Sequence, residues 1–151
     1  YKLYEKLKFN YLPQTSFMID GSIKDNILLN NKLNKNEFWK IIDICKLKTL
    51  ISSLKKKENT LAGENGVTLS GGQKQRICIA RSLADNPSFL ILDESTNAID
   101  MSTENSILKD LNKYYNEITL IMVTHRKTNI KYFNKIIDMS NNKIKLINKN
   151  V

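Results

Sequence analysis

The sequence predicts an α/β fold, with a mostly parallel core sheet and a helical layer inserted after its first strand. Three observations carry that prediction. Short continuous apolar runs over residues 88–92 and 118–123 read as strands buried on both faces. Around them, apolar residues recur at helical spacing. Start and stop signals bracket the longest helix, with Ser70 ahead of Gly71-Gly72 and Asn86-Pro87 at the far end.

Leu7, Phe9 and Tyr11 alternate with polar residues, which predicts a strand running into Pro13-Gln14. Ser22 with Asp25 has the form of a capping box for a short helix through Leu29. Asn34 and Glu37 give start signals for a helix whose buried face is Phe38, Ile41, Ile42 and Cys45, and residues 48–54 continue the pattern. Residues from about 20 to 68 thus read as the helical layer. Ile107, Leu108, Leu111, Tyr114 and Tyr115 form a further helical stripe. Lys135 to Met139 and Ile144 to Ile147 flank Ser140-Asn141-Asn142, which predicts a hairpin. The sequence holds no internal repeat and no low-complexity linker.

A chain of 151 residues suffices for one domain with a modest core. Its 41% hydrophobic and 26% charged residues are ordinary for a soluble protein. No apolar run approaches the ~20 residues that a membrane-spanning helix needs. The sequence opens on Tyr1 with nothing like a signal peptide, and reads as part of a longer polypeptide. A net charge of +9 raises the question of nucleic acid. The excess is nearly all lysine spread along the chain, with only Arg76, Arg81 and Arg126 to serve phosphates bidentately. Lys55-Lys56-Lys57 is the one tight cluster and fits a solvated helix end. No nucleic-acid partner is expected; a solvated surface or a nearby anionic leaflet accounts for the charge. Cys45 and Cys78 sit among apolar neighbours without metal-ligand spacing, as buried free thiols do.

The chemistry gathers in residues 69–100. The run Phe89-Leu90-Ile91-Leu92 ends in Asp93-Glu94, which places two carboxylates at the carboxyl end of a strand, where open α/β sheets bind ligands. One carboxylate suits Mg²⁺ and the next can orient an attacking water. Ser70-Gly71-Gly72-Gln73 opens a helix, so bare backbone N–H groups and the helix dipole favour an anion there.

Residues 69–100 resemble the signature motif, Walker B strand and D-loop of an ABC (ATP-binding cassette) ATPase. Tyr11-Leu12-Pro13-Gln14 is similar to that family's Q-loop and Val123-Thr124-His125 to its H-switch. The resemblance covers essentially the whole chain and implies a partial P-loop NTPase-like domain. Residues from about 20 to 86 would form the helical signature subdomain, with 1–19 and 87–151 the core α/β part. It implies ATP and Mg²⁺ as cofactors. Asp93 and Gln14 would serve Mg²⁺, Glu94 would be the general base, and His125 and Gln14 would contact the reacting centre. Ser70, Gly71, Gly72 and Gln73 would contact the γ-phosphate of ATP held by a partner subunit, while Ala98 and Asp100 would belong to the D-loop.

Thr60-Leu61-Ala62-Gly63-Glu64-Asn65-Gly66 resembles the X-loop of exporters, and Ser22-Ile23-Lys24-Asp25-Asn26-Ile27 a second exporter stretch. The implied setting is the cytoplasmic face of a membrane, in a head-to-tail dimer joined to transmembrane domains. The family's Walker A loop, GxxxxGK(S/T), has no match in the sequence, and Asn97 stands where the D-loop usually has Ser. By itself the chain is therefore expected to bind ATP poorly and to be inactive. A soluble ABC-type ATPase acting on nucleic acid or ribosomes, and a non-catalytic remnant, are the alternatives.

Overall fold

Local signals set the ends of the elements in the computed structural model, which describes residues 7–63, 67–139 and 145–148. β1 (Phe9–Leu12) stops at Pro13, which has no N–H for a ladder. β2 (Gly21–Ser22) runs directly into α1 (Ile23–Leu28). There the Ser22 hydroxyl accepts from the Asp25 N–H at 3.0 Å, and the Asp25 carboxylate accepts from the Ser22 N–H at 2.9 Å. α2 (Lys35–Ile44) starts with the same reciprocal box between Asn34 and Glu37. The helical pattern that the sequence carries past Cys45 is interrupted at Lys46, with φ at 54°, and resumes as α3 (Lys48–Ser53).

β3 (Leu61–Ala62) pairs antiparallel with β2. Glu64, Asn65 and Gly66, the second half of the X-loop-like stretch, lie outside the described residues. α4 (Gly71–Ala84) is followed by β4 (Phe89–Asp93), α5 (Met101–Tyr114) and β5 (Thr119–Val123). A 3₁₀ segment (Lys127–Tyr132) leads to β6 (Lys135–Asp138), which pairs antiparallel with β7 (Lys145–Asn148). The hairpin is thus present, and its Ser140-Asn141-Asn142 turn lies outside the described residues.

The parallel sheet has the order β1-β4-β5, with β4 in the centre. Its inner face is apolar: Leu12, Leu90 and Leu92 are buried, and Leu120 and Met122 pack against the same cluster. Each such buried side chain stabilises the fold by about 1.5–3 kcal/mol. The cluster continues into the helical layer through Ile23, Ile27, Ile42, Ile77 and Ile79. Cys45 and Cys78 are buried free thiols, as expected.

The other face corrects the sequence reading. Residues 88–92 and 118–123 were expected to be buried on both sides, yet burial alternates along β4 and β5. Phe9, Tyr11, Ile121 and Val123 are 62, 58, 46 and 48% exposed and share that outer face. Helices of the described residues cover one side only, so the apolar outer side meets solvent. The rings of Phe9 and Phe89 stack on it at 4.6 Å.

Asn26 is a buried polar residue whose partners are all supplied. Its oxygen accepts from the Ile19 N–H at 2.8 Å and from Arg81 at 3.0 Å; its amide donates to the Ile19 and Ser22 carbonyls, each at 3.0 Å. Arg81 also donates to the Asn26 carbonyl at 2.7 Å, which fastens α1 to α4.

The amino end of α4 lies against the turn at residues 97–99. A Cβ on Gly72 would stand 2.6 Å from the Ala98 carbonyl oxygen, and one on Gly71 3.2 Å from the Ala98 Cβ. Gly72→Ala should therefore push α4 off that turn and cost about 1–3 kcal/mol. A urea midpoint equal to the wild type would contradict this contact. Burial pushes the Tyr115 hydroxyl up to about 12 from its ordinary 10.0. The stability this represents is present below pH 10 and is lost as pH rises towards 12. Tyr115→Phe should remove that component of alkaline destabilisation, and an unaltered alkaline transition would count against it.

Candidate functional site

Parallel register brings three strand ends to one edge. Leu12 pairs with Leu92 and Leu92 with Met122, so the chain leaves β1, β4 and β5 side by side. The residues that follow are Gln14, Glu94 and His125, and their side chains meet. The Gln14 amide donates to Glu94 Oε2 at 3.0 Å. His125 Nε2 lies 2.7 Å from Glu94 Oε1. A carboxylate has only acceptors, so the proton on that contact belongs to the imidazole. Asn97 adds a third donor, with Nδ2 3.1 Å from Glu94 Oε2.

Glu94 takes a backbone conformation that L side chains seldom adopt, with φ at 49°. The turn is held by its N–H donating to the Val123 carbonyl at 3.1 Å, and by the Asn97 N–H donating back to the Glu94 carbonyl at 3.2 Å. Such conformations cost of order 1–3 kcal/mol and gather at functional sites. The effect is to lift the carboxylate off the strand and into the company of Gln14 and His125. The His125 side chain is 88% exposed against 22% for Glu94, so the imidazole faces outward over a partly covered carboxylate.

Asp93 is flanked by Tyr11, a residue of β1 to which the sequence gives no role of its own at the site. The Tyr11 hydroxyl donates to Asp93 Oδ2 at 2.7 Å. That bond, with the adjacent negative charge, raises the Tyr11 hydroxyl above its ordinary value. Tyr11 and Asp93 share the outer face of the sheet, a position that period-2 alternation could have indicated once the strand pairing was known. Among the described residues no cluster of three or more His, Cys, Asp or Glu could hold a metal ion. Asp93 and the Gln14 carbonyl still offer hard oxygen donors, the kind Mg²⁺ accepts alongside water and phosphate oxygens.

Ser70 to Gln73 occupy the amino end of α4. The Ser70 hydroxyl accepts from the Gln73 N–H at 3.3 Å, and the Gln73 side chain accepts from the Ser70 N–H at 2.9 Å. This box uses an acceptor site on the hydroxyl and leaves its proton to donate to an anion. Asp100 caps α5 in a similar way. The Ser102 hydroxyl at 2.7 Å and the Thr103 N–H at 2.9 Å hold its carboxyl well below the usual carboxylate range. Its local work is thus a helix cap, which the sequence reading had not assigned to it. Among the described residues no hydrogen bond joins residues 70–73 to Gln14, Glu94 or His125. Between the two groups lies the turn at residues 97–99, where the Ala98 N–H donates to Gln75 of α4 at 2.9 Å.

Comparison with known proteins shows what the chain is similar to. A family model described as ABC transporter matches residues 4–97. The chain is 41% identical over 131 residues to the alpha-hemolysin translocation ATP-binding protein HlyB of Escherichia coli O157:H7, covering 85% of this chain and 18% of that protein. It is 42% identical over 136 residues to the multidrug resistance-like ATP-binding protein MdlA of Buchnera aphidicola, covering 89% of this chain and 23% of the relative. A solved structure of a bacterial Atm1-family ABC exporter with ATP bound superposes with a TM-score of 0.78 at 32% identity, over 86% of this chain and 23% of the other. The chain therefore spans about a fifth of the length of the relatives it matches. The chain belongs to the ABC transporter family.

Proposed function

We propose that this chain is part of the ATP-hydrolysing nucleotide-binding domain of an ABC exporter, coupling ATP binding and hydrolysis to transport or lipid flipping. The observation that carries the reading is the convergence of Gln14, Glu94 and His125 at the carboxyl edge of β1, β4 and β5. Supporting it, the relatives include a hemolysin translocation protein and a multidrug resistance-like protein, and the structural neighbour is an exporter with ATP bound. The alternative, a soluble ATPase acting on nucleic acid or ribosomes, draws nothing from these relatives.

In this reading residues from about 20 to 86 are the helical signature part, and 1–19 with 87–151 the core. Glu94 takes a proton from the attacking water, and His125 holds the γ-phosphate with its outward imidazole. Asp93 and Gln14 would supply oxygen ligands to Mg²⁺, which would contribute positive charge beside the phosphates. Ser70, Gly71, Gly72 and Gln73 close on the γ-phosphate of ATP bound by a second nucleotide-binding domain, in a head-to-tail dimer. Catalysis is then mainly positioning and electrostatics. Gln14 and Asn97 both donate to Glu94 Oε2 and His125 lies on Oε1, so an attacking water is left the remaining acceptor site of Oε1.

The phosphate-binding Walker A loop comes from protein outside this sequence, as do the transmembrane domains that place the assembly at the cytoplasmic face of a membrane. The exposed outer side of the sheet, with Phe9, Tyr11, Ile121 and Val123, is suited to further protein packing on it.

In the full-length protein, Glu94→Gln should lower ATP turnover about 100-fold or more while nucleotide still binds. Hydrolysis at the wild-type rate would refute the base assignment. Ser70→Arg should stop turnover by blocking dimer closure, with nucleotide affinity of the single subunit retained. Closed dimers of this variant, measured by sedimentation with ATP, would contradict that role.

A further inference from the structure

The turn between Glu94 and Asp100 is gripped by side chains from two other parts of the fold. Gln75, on α4 and 6% exposed, takes the Ala98 N–H at 2.9 Å. The second is Arg126, the residue directly after His125. Its Nη1 donates to the Ile99 carbonyl at 2.9 Å and its Nη2 to the Asn97 carbonyl at 2.8 Å. The same Nη1 lies 2.6 Å from Glu104 Oε2, and Glu104 is 1% exposed. A buried carboxylate thus fixes the guanidinium, and the guanidinium fixes two backbone carbonyls. Asn97, so held, donates to Glu94 Oε2 at 3.1 Å.

The planar fork of an arginine can serve one carboxylate and two carbonyls together; a lysine ammonium, a point charge on a flexible stem, cannot span them. A buried ion pair is weak evidence for stability, because well-packed apolar groups of similar volume often serve as well, so the arrangement calls for another account than stabilisation. We infer that Arg126 is a positioning residue: it sets the turn at residues 97–99 and, through Asn97, aims the Glu94 carboxylate. The segment after His125 and the segment after Glu94 then move as one unit. This inference rests on the hydrolysis reading above.

The test uses the full-length protein and a double variant, Arg126→Gln with Glu104→Gln, which removes both charges and leaves no lone buried ion. We expect kcat for ATP hydrolysis to fall about 10- to 100-fold, the scale of a misplaced catalytic group, with KM for ATP and the melting temperature close to wild type. Adding Asn97→Ala to that variant should cost less than Asn97→Ala costs alone, because the two act along one path. A kcat close to wild type, or fully additive losses, would overturn the inference. Should the double variant not fold, Arg126→Lys, which keeps a positive charge beside Glu104, decides by the same kcat criterion. Glu94→Gln run in parallel separates the two claims. If it stops turnover while the Arg126 variants hydrolyse normally, the positioning role falls and the hydrolysis reading stands. If the wild type hydrolyses no ATP, both fall.

Discussion

The parallel register of three strands is the constraint on which the candidate site depends. Leu12, Leu92 and Met122 lie in one row across the sheet, so whatever follows them in the chain must emerge together. Slipping β1 or β5 by one residue against β4 would turn each side chain to the other face and part Gln14 or His125 from Glu94. The buried inner face of Leu12, Leu90 and Leu92 holds that register, because a slip would also expose the core. Packing and chemistry are therefore fixed by the same alternation of side chains.

From that edge the structure works outward through the turn after Glu94. A left-handed Glu94 and the bonds that brace it bring the chain round to Asp100, which caps α5. The same turn receives the amino end of α4, where Gly72 has room for no side chain against the Ala98 carbonyl. The amino end of α4 and the carboxylate edge are thus separate groups of residues that share one piece of backbone. A shift in either has to be felt at residues 97–99.

Much of this was legible in the sequence where the signal is local. The capping boxes at Ser22, Asn34 and Ser70 and the stop before Pro87 need only neighbours in the chain, and all are present. The spacing of residues 69–100 likewise placed Asp93 and Glu94 at a strand end. What sequence could not give was which side of each strand would be covered. Apolar runs at β4 and β5 look the same whether one or two layers pack on them, and here Ile121 and Val123 face outward. Tyr11 on Asp93 and Arg126 on the turn were missed for a related reason. Both are contacts between residues far apart in sequence, and no local pattern marks them.

The central claim is that one chain carries residues for two different sites: Gln14, Glu94 and His125 for its own nucleotide, and Ser70 to Gln73 for its partner's. The direct measurement is ATP hydrolysis by a mixture of Glu94→Gln and Ser70→Ala full-length proteins, each expected to be inactive alone; the alanine removes the hydroxyl donor without adding bulk that would block closure. In a head-to-tail pair formed from one of each, both defects fall in one site and the other site is intact. The account predicts that activity returns on mixing. If both sets of residues served the same chain's nucleotide, each site in the mixed pair would keep one defect, and a mixture as inactive as its components would contradict the account.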